Sequence, residues 1–207
     1  MRTQRFLREL REPGNTALLP SIRTSESVWH ENGNPDPKLE IDGVYALRDD
    51  HLQGKFDGES IKGIRWLERG NTESRLDVEK NGVMIAALKL LRPSSRVKVR
   101  LQAGVPSYRI EIRAIARVAQ LRTPANESEL EQLAETQIRQ EVSDTFETGI
   151  KRSVDLLRLE HRLFRYRFAD WKKTSDGGRS ALPKRLPDIQ VKVVIHDTGM
   201  FKLKTER

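Results

Sequence analysis

The stretch VDLLRLEHRLFRYRFADWKK, Val154 to Lys173, sets Phe164, Tyr166, Phe168 and Trp171 among arginines. On a helix, Val154, Leu157, His161, Phe164, Phe168 and Trp171 recur at spacings of three and four. Leu156, Leu159, Leu163 and Tyr166 form a neighbouring stripe, and Arg158, Arg162, Arg165 and Lys172 collect opposite. That is a broad apolar face with a basic back. A nucleic-acid reader exposes aromatics as stacking platforms beside arginines, and a membrane-surface helix carries the same kind of moment. Here strands on both sides offer a sheet to cover. Burying one large side chain is worth roughly 1.5–3 kcal/mol, so the stretch reads as a packed helix roofing that sheet.

The flanking segments supply the sheet. SRLDVEKNGVMIAALKLL contains Asn81-Gly82, the strongest short hairpin signal. In SRVKVRLQ, Val97, Val99 and Leu101 alternate with Arg96, Lys98 and Arg100. In YRIEIR, Tyr108, Ile110 and Ile112 alternate with Arg109, Glu111 and Arg113. Such alternation implies antiparallel strands with one buried and one wet face. A helix follows, with Asn126 or Ser128 as its cap, early glutamates suited to the helix dipole, and Leu130, Leu133, Ile138, Val142 and Phe146 near helical spacing. Gly149 is read as a bend before the opening stretch continues this helix. The Gly/Pro-rich loop SDGGRSALPKRLP then leads to DIQVKVVI, where Ile189, Val191, Val193 and Ile195 alternate, and HDTGMFKLK reads as a turn into a last strand.

Before the sheet lies a smaller β-rich region. Arg5 to Arg11 has a short helical pattern ended by Pro13 and Gly14, and residues 30–38 read as a polar loop. Ile41 to Leu47 and Leu52 to Phe56 read as a hairpin around RDDH, and Ser60 as the cap of a short helix bearing Ile61, Ile64, Trp66 and Leu67. Gly70 and Asn71 then break the pattern. The expected organisation is a small β-hairpin plus short helix over 1–70, and an α+β domain over 71–207. In the latter, a mostly antiparallel sheet is covered on one face by long helices.

Composition sets outer limits. The chain has 207 residues, a net charge of +8, 33% charged residues and 36% hydrophobic ones. The basic balance favours anionic surroundings, whether nucleic acid, acidic lipid or an acidic partner. The absence of cysteine removes disulfides, thiolate zinc sites and a cysteine nucleophile. No apolar run approaches the roughly 20 residues that span a bilayer, and MRTQRFLRELREPGNTALLP has no apolar core of a signal peptide. His30, His51, His161 and His196 show no metal-binding spacing. Gly58-Glu59-Ser60 lacks the G-x-S-x-G elbow, and Asp176-Gly177-Gly178 belongs to no phosphate-binding loop. Asp49-Asp50 is a turn pair. No catalytic residue, metal site or cofactor site is assigned.

Taken in order, these pieces resemble the Ger(x)C family, the C subunits of spore nutrient germinant receptors. LLPSI (Leu18–Ile22) is similar to the family's segment before its middle region. IDGVYALRDDHLQGKFDGESIKGIRWL resembles its signature, with Gly43, Asp50, Leu52, Gly54, Gly63, Trp66 and Leu67 matching. The opening stretch is similar to its D-I-F-G-F-G…P-x-x-W segment through Asp155, Leu159 and Trp171, and VKVVIHDTG resembles its last strand with the closing Gly199. Ser60, Arg158 and Ala169 depart from the family's glutamate, glycine and proline, and its N-terminal lipoprotein region has no counterpart in these residues. The resemblance implies a non-enzymatic receptor-assembly subunit on the outer face of the spore inner membrane, with membrane-embedded A and B subunits as partners. The basic face of Arg96, Lys98, Arg100, Arg109 and Arg113 would suit an anionic membrane surface. A basic nucleic-acid-binding α+β module is the competing reading.

Overall fold

The computed structural model describes residues 3–25, 30–31, 34–35, 37–68, 70–102, 105–174, 182–183 and 185–198. Its elements run α1 (Thr3–Arg11), β1 (Ala17–Ser25), β2 (His30–Glu31), β3 (Asn34–Pro35), β4 (Lys38–Arg48), β5 (His51–Asp57), α2 (Ile64–Leu67), β6 (Glu73–Lys80) and β7 (Val83–Gln102). Then follow β8 (Val105–Leu121), α3 (Glu127–Lys151), α4 (Leu159–Tyr166), α5 (Phe168–Thr174) and β9 (Asp188–Asp197). The fold is α+β with mostly antiparallel sheets, as the order of patterns implies. The residues fall into two units, each drawn from three segments, whereas the sequence reading divides the chain once, at residue 70. The first unit takes 1–62, 101–106 and 145–184; the second takes 63–100, 107–144 and 185–207.

In the second unit the strand order is β6-β7-β8-β9. Asn81 and Gly82 both adopt positive φ, 53° and 75°, the backbone that a two-residue hairpin requires. Strand β9 pairs parallel to β8, from Arg109↔Asp188 onward, and a parallel partner needs a crossover connection. Helix α3 lies in that connection. Asn126 caps it, its Oδ1 accepting the Glu129 N–H at 2.7 Å. Leu130, Ala134, Ile138 and Val142 are buried, as are Leu76, Val78, Leu88, Leu90, Ile110, Ile112, Ala114, Val191 and Val193 of the strands. Period two in the strands and period 3.6 in the helix thus meet in one aliphatic layer.

The first unit carries the sheet β1-β4-β5. Asp49 and Asp50 turn the β4–β5 hairpin with φ of 48° and 63°. Residues 30–31 and 34–35 pair as a small antiparallel ladder inside the region read as loop. Ser60 does not cap a helix. Its N–H donates to Asp57 Oδ1 at 2.9 Å and its hydroxyl to the Asp57 carbonyl at 3.0 Å, so Asp57 organises a turn and α2 starts only at Ile64.

The continuous helix expected over Val154–Lys173 is not formed. Helix α3 stops at Lys151, with Ser153 left-handed (φ 58°), the Val154 N–H on the Gly149 carbonyl (2.9 Å) and the Ser153 N–H on the Ile150 carbonyl (2.9 Å). These two bonds form a Schellman stop. Gly149 permits it by lacking a side chain, since a Cβ there would lie 2.4 Å from the Val154 carbonyl oxygen. Arg158 is again left-handed and Arg167 leaves the helical region, so α4 and α5 are short. Once the path breaks twice, residues three and four apart no longer share one face. Val154, Leu156, Leu157, Leu159 and Leu163 are buried, but Tyr166 and Phe168 are 59% and 55% exposed. Phe164 and Trp171 are half-buried, edge to face at 5.0 Å.

Candidate functional site

Two polar arrangements stand out, one on a sheet face and one inside the first unit. On the second unit's outer face, Arg96, Lys98, Arg100 and Arg113 are exposed and Arg109 half-buried. Acidic neighbours offset much of this charge. Lys98 pairs with Glu111, Arg109 with Asp188 (2.6 Å) and Arg117 with Asp197 (2.8 Å). The Lys98 ammonium holds the Glu111 carboxyl below its ordinary range, helped by Arg96 and Arg113. Ile115 and Val194, paired across β8 and β9, add an exposed aliphatic patch. The face is therefore a mixed surface with a basic bias. Only Arg96, Arg100 and Arg113 of the five lack an ion pair among the described residues.

Inside the first unit a carboxylate cluster joins β4, α4 and α5. Glu160 is fully buried. Arg48 donates to both its oxygens, at 3.1 and 2.9 Å, and Trp171 Nε1–H donates to Oε1 at 3.2 Å. Gly14 lies against it so closely that a Cβ would sit 3.1 Å from Glu160 Cγ. Asp155 Oδ2 accepts the Glu160 N–H at 2.7 Å, anchoring the start of α4 although it precedes that helix by four residues. Burial pushes the Asp155 carboxyl up to about 6, against the lowering effect of the Glu160 and Leu159 N–H bonds; the Glu160 charge adds to the rise and Arg48 opposes it. Nearby, burial holds His161 below its ordinary value despite Glu12, whose Oε2 is 3.1 Å from Nε2. A second anchor lies in the other unit, where Glu141 of α3 accepts from Trp66 Nε1–H at 2.7 Å and from Arg65 at 2.9 Å through both oxygens.

The remaining sequence-nominated residues are spread over the β4–β5 hairpin, the turn before α2 and α4. Gly43 faces the Phe56 carbonyl, where a Cβ would fall at 2.1 Å. Asp50 is a turn residue, Leu52 an exposed strand residue, Gly54 a strand residue with φ 149° opposite Ala46, and Gly63 the buried residue before α2. Leu159 is buried in α4. Gly199, and the last strand read after it, lie outside the described residues. Among the described residues no group of histidine and carboxylate side chains is arranged to hold a metal ion, and no helix is long and apolar enough to cross a membrane.

Residues 42–199 match the family described as spore germination B3/GerAC-like, C-terminal. The chain belongs to this family. Among solved structures it is similar to the crystal structure of the GerBC protein, with a TM-score of 0.65 at 12% identity, over 95% of this chain and 60% of that one. At that identity the likeness is one of fold, and the chain spans about 60% of GerBC's length. No curated protein matches it.

In this GerAC-like chain, Asp155, Leu159 and Trp171 converge on α4, while Gly43, Asp50, Leu52 and Gly54 sit in the β4–β5 hairpin and Gly63 and Trp66 around α2. Sequence reasoning missed Glu160, Arg48 and Glu141, the three charges that hold the tryptophans and α4. Helical spacing sets Glu160 three or four residues from Leu156, Leu157, Leu163 and Phe164, so a carboxylate within the apolar face was the signal that could have found it.

Proposed function

We propose that the chain is a non-enzymatic subunit of a spore nutrient germinant receptor, acting in receptor assembly and germination signalling on the outer face of the spore inner membrane. Its partners in this reading are the membrane-embedded A and B subunits. The observation that carries it is the family match over residues 42–199, which takes in most of both units. The use made of the polar groups agrees with it. Glu160, Asp155 and Glu141 are engaged in holding arginines, tryptophans and helix N–H groups, a scaffold role rather than one of acid–base exchange. The face of Arg96, Arg100 and Arg113 adds a peripheral attraction to anionic lipid, at about 1 kcal/mol for each cation held near the surface. Interleaved Glu111, Asp188 and Asp197 make the same face a poor track for a phosphate backbone.

The test is genetic and biochemical. Spores lacking this gene, in a host stripped of paralogous receptors, should fail to germinate on nutrients while still responding to a trigger that bypasses nutrient sensing. The tagged full chain should bring down two polytopic membrane proteins from spore membranes. Normal nutrient germination without the gene, or recovery of the chain with no membrane protein, would remove the proposal. Tight DNA binding at about 150 mM salt, falling steeply as salt rises, would restore the nucleic-acid reading.

A further inference from the structure

A strand at the end of a sheet leaves unpaired backbone groups that recruit other chains unless they are covered. In the second unit both terminal strands are tied down by side chains. Arg139 Nε donates to the Ile189 carbonyl at 3.2 Å, Glu135 accepts the Val193 N–H at 3.1 Å, and Glu131 accepts the Ile195 N–H at 2.8 Å. These three residues, four apart on one stripe of α3, secure β9. On β6, Gln137 donates to the Asp77 carbonyl at 2.9 Å and Arg65 to the Arg75 carbonyl at 3.3 Å.

One further edge has no such cover among the described residues. Strand β7 pairs with β6 only from Val83 to Leu91, yet runs on to Gln102. Arg92 marks the change, with φ of 46° and its N–H on the Thr72 carbonyl at 2.9 Å. Pro93, which has no N–H to offer a ladder, follows at once. From Arg92 to Leu101 exposed residues alternate with half-buried ones and none is buried. Strand β8 occupies one side of this extension, and no described strand occupies the other.

We infer that the open edge of β7 from Pro93 to Arg100 is a strand-addition site for a partner's extended segment in which carboxylate and aliphatic residues alternate. Backbone hydrogen bonds supply affinity in such pairing and the flanking side chains supply selectivity. A strand laid beside β7 shares its pleat, so its side chains fall next to those of β7 on each face. One face carries Arg96, Lys98 and Arg100, and the other Val97 and Val99. Aspartate or glutamate suits the first row, and valine, isoleucine or leucine the second. Lys98 already holds Glu111, which leaves Arg96 and Arg100 as the stronger positions. A second copy is the wrong occupant, because pairing the edge with itself sets cation beside cation.

The test uses the full chain, labelled for amide exchange, and a capped decapeptide alternating glutamate and valine. Alternate amides between Ser94 and Arg100 should exchange more slowly on addition of this peptide. A lysine–valine version should bind about tenfold more weakly or worse, the sum of a few cross-strand charge pairs. Methylating the peptide's backbone nitrogens on one edge should abolish binding. Because Arg96 and Arg100 are exposed, Arg96→Glu with Arg100→Glu keeps the fold and should reverse the preference between the two peptides. Four results overturn the inference. These are equal binding of both peptides, binding that survives methylation and so needs charge alone, protection at another edge, and concentration-dependent protection of these amides in the chain by itself.

Discussion

In the second unit, Leu76, Leu88, Ile110, Ile112, Ile138 and Val142 fill the space between sheet and helix. In the first, Glu160 is fully buried beside Leu159 and Leu163, with Arg48, Asp155 and Trp171 around it. An aliphatic layer loses stability in proportion to the volume removed, and tolerates exchange of one apolar side chain for another. A buried ion cluster behaves differently. Its charges were taken from water at a cost that only their mutual contacts offset, so removing one partner is worse than removing both. The first unit should therefore be the brittle one, and its brittleness should depend on which charges remain.

The largest expected effect follows from that contrast. Glu160→Ala takes from Arg48 its buried bidentate acceptor, leaving it only Asp49 at 3.5 Å on the exposed side, and should cost about 3–5 kcal/mol, read from urea unfolding of the full chain. Replacing both, Arg48→Met with Glu160→Leu, should recover all but about 1 kcal/mol, the remainder being the Trp171 N–H left without its acceptor. If the double variant is as unstable as the single, the cluster is a matter of packing and the contrast between the units fails.

A pH series sharpens the same point at smaller amplitude. The folded chain holds the Asp155 proton to about pH 6, above the ordinary value of 3.8. This carboxyl thus contributes stability that is complete below pH 3.8 and is lost as pH rises through 6, about 2–3 kcal/mol in all. Asp155→Asn removes the titration, so the variant should gain on the wild type by that amount between pH 4 and pH 7. His161 works in the opposite sense. Burial lowers it, so its contribution is present above the ordinary imidazole value and is lost as pH falls. Taking the difference between variant and wild type cancels His161, and a difference that stays flat with pH would show Asp155 ionised throughout.

The same contrast explains what the sequence discloses. Period two is a local property, and it locates β8, β9 and the Asn81-Gly82 turn without reference to the rest of the chain. It does not separate parallel from antiparallel pairing, because the inward positions of β9 are the same either way. Nor does it reveal that Asp188 lands beside Arg109, which depends on register. Strand β7 also passes through Pro93, which has no N–H to give, because the ladder to β6 has already ended at Leu91. In the first unit the decisive partner of Glu160 is 112 residues away. Helical spacing over 154–173 runs unbroken through two points where the backbone turns aside.

The smallest effect is at the helix stop just before those points. Ser153 takes the left-handed position of the Schellman stop at the end of α3. A left-handed backbone costs a residue with a Cβ about 1–2 kcal/mol, and glycine avoids this while losing about 0.5–1 kcal/mol more conformational entropy on folding. Ser153→Gly should therefore stabilise the chain by about 0.5–1 kcal/mol, seen as a higher urea midpoint with an unchanged slope. Because the stop, rather than helical propensity, sends the chain toward Asp155 and Glu160, the gain should add to the wild type and to Asp155→Asn alike. A loss of stability would mean that the hydroxyl of Ser153, and not its backbone, is what the turn requires.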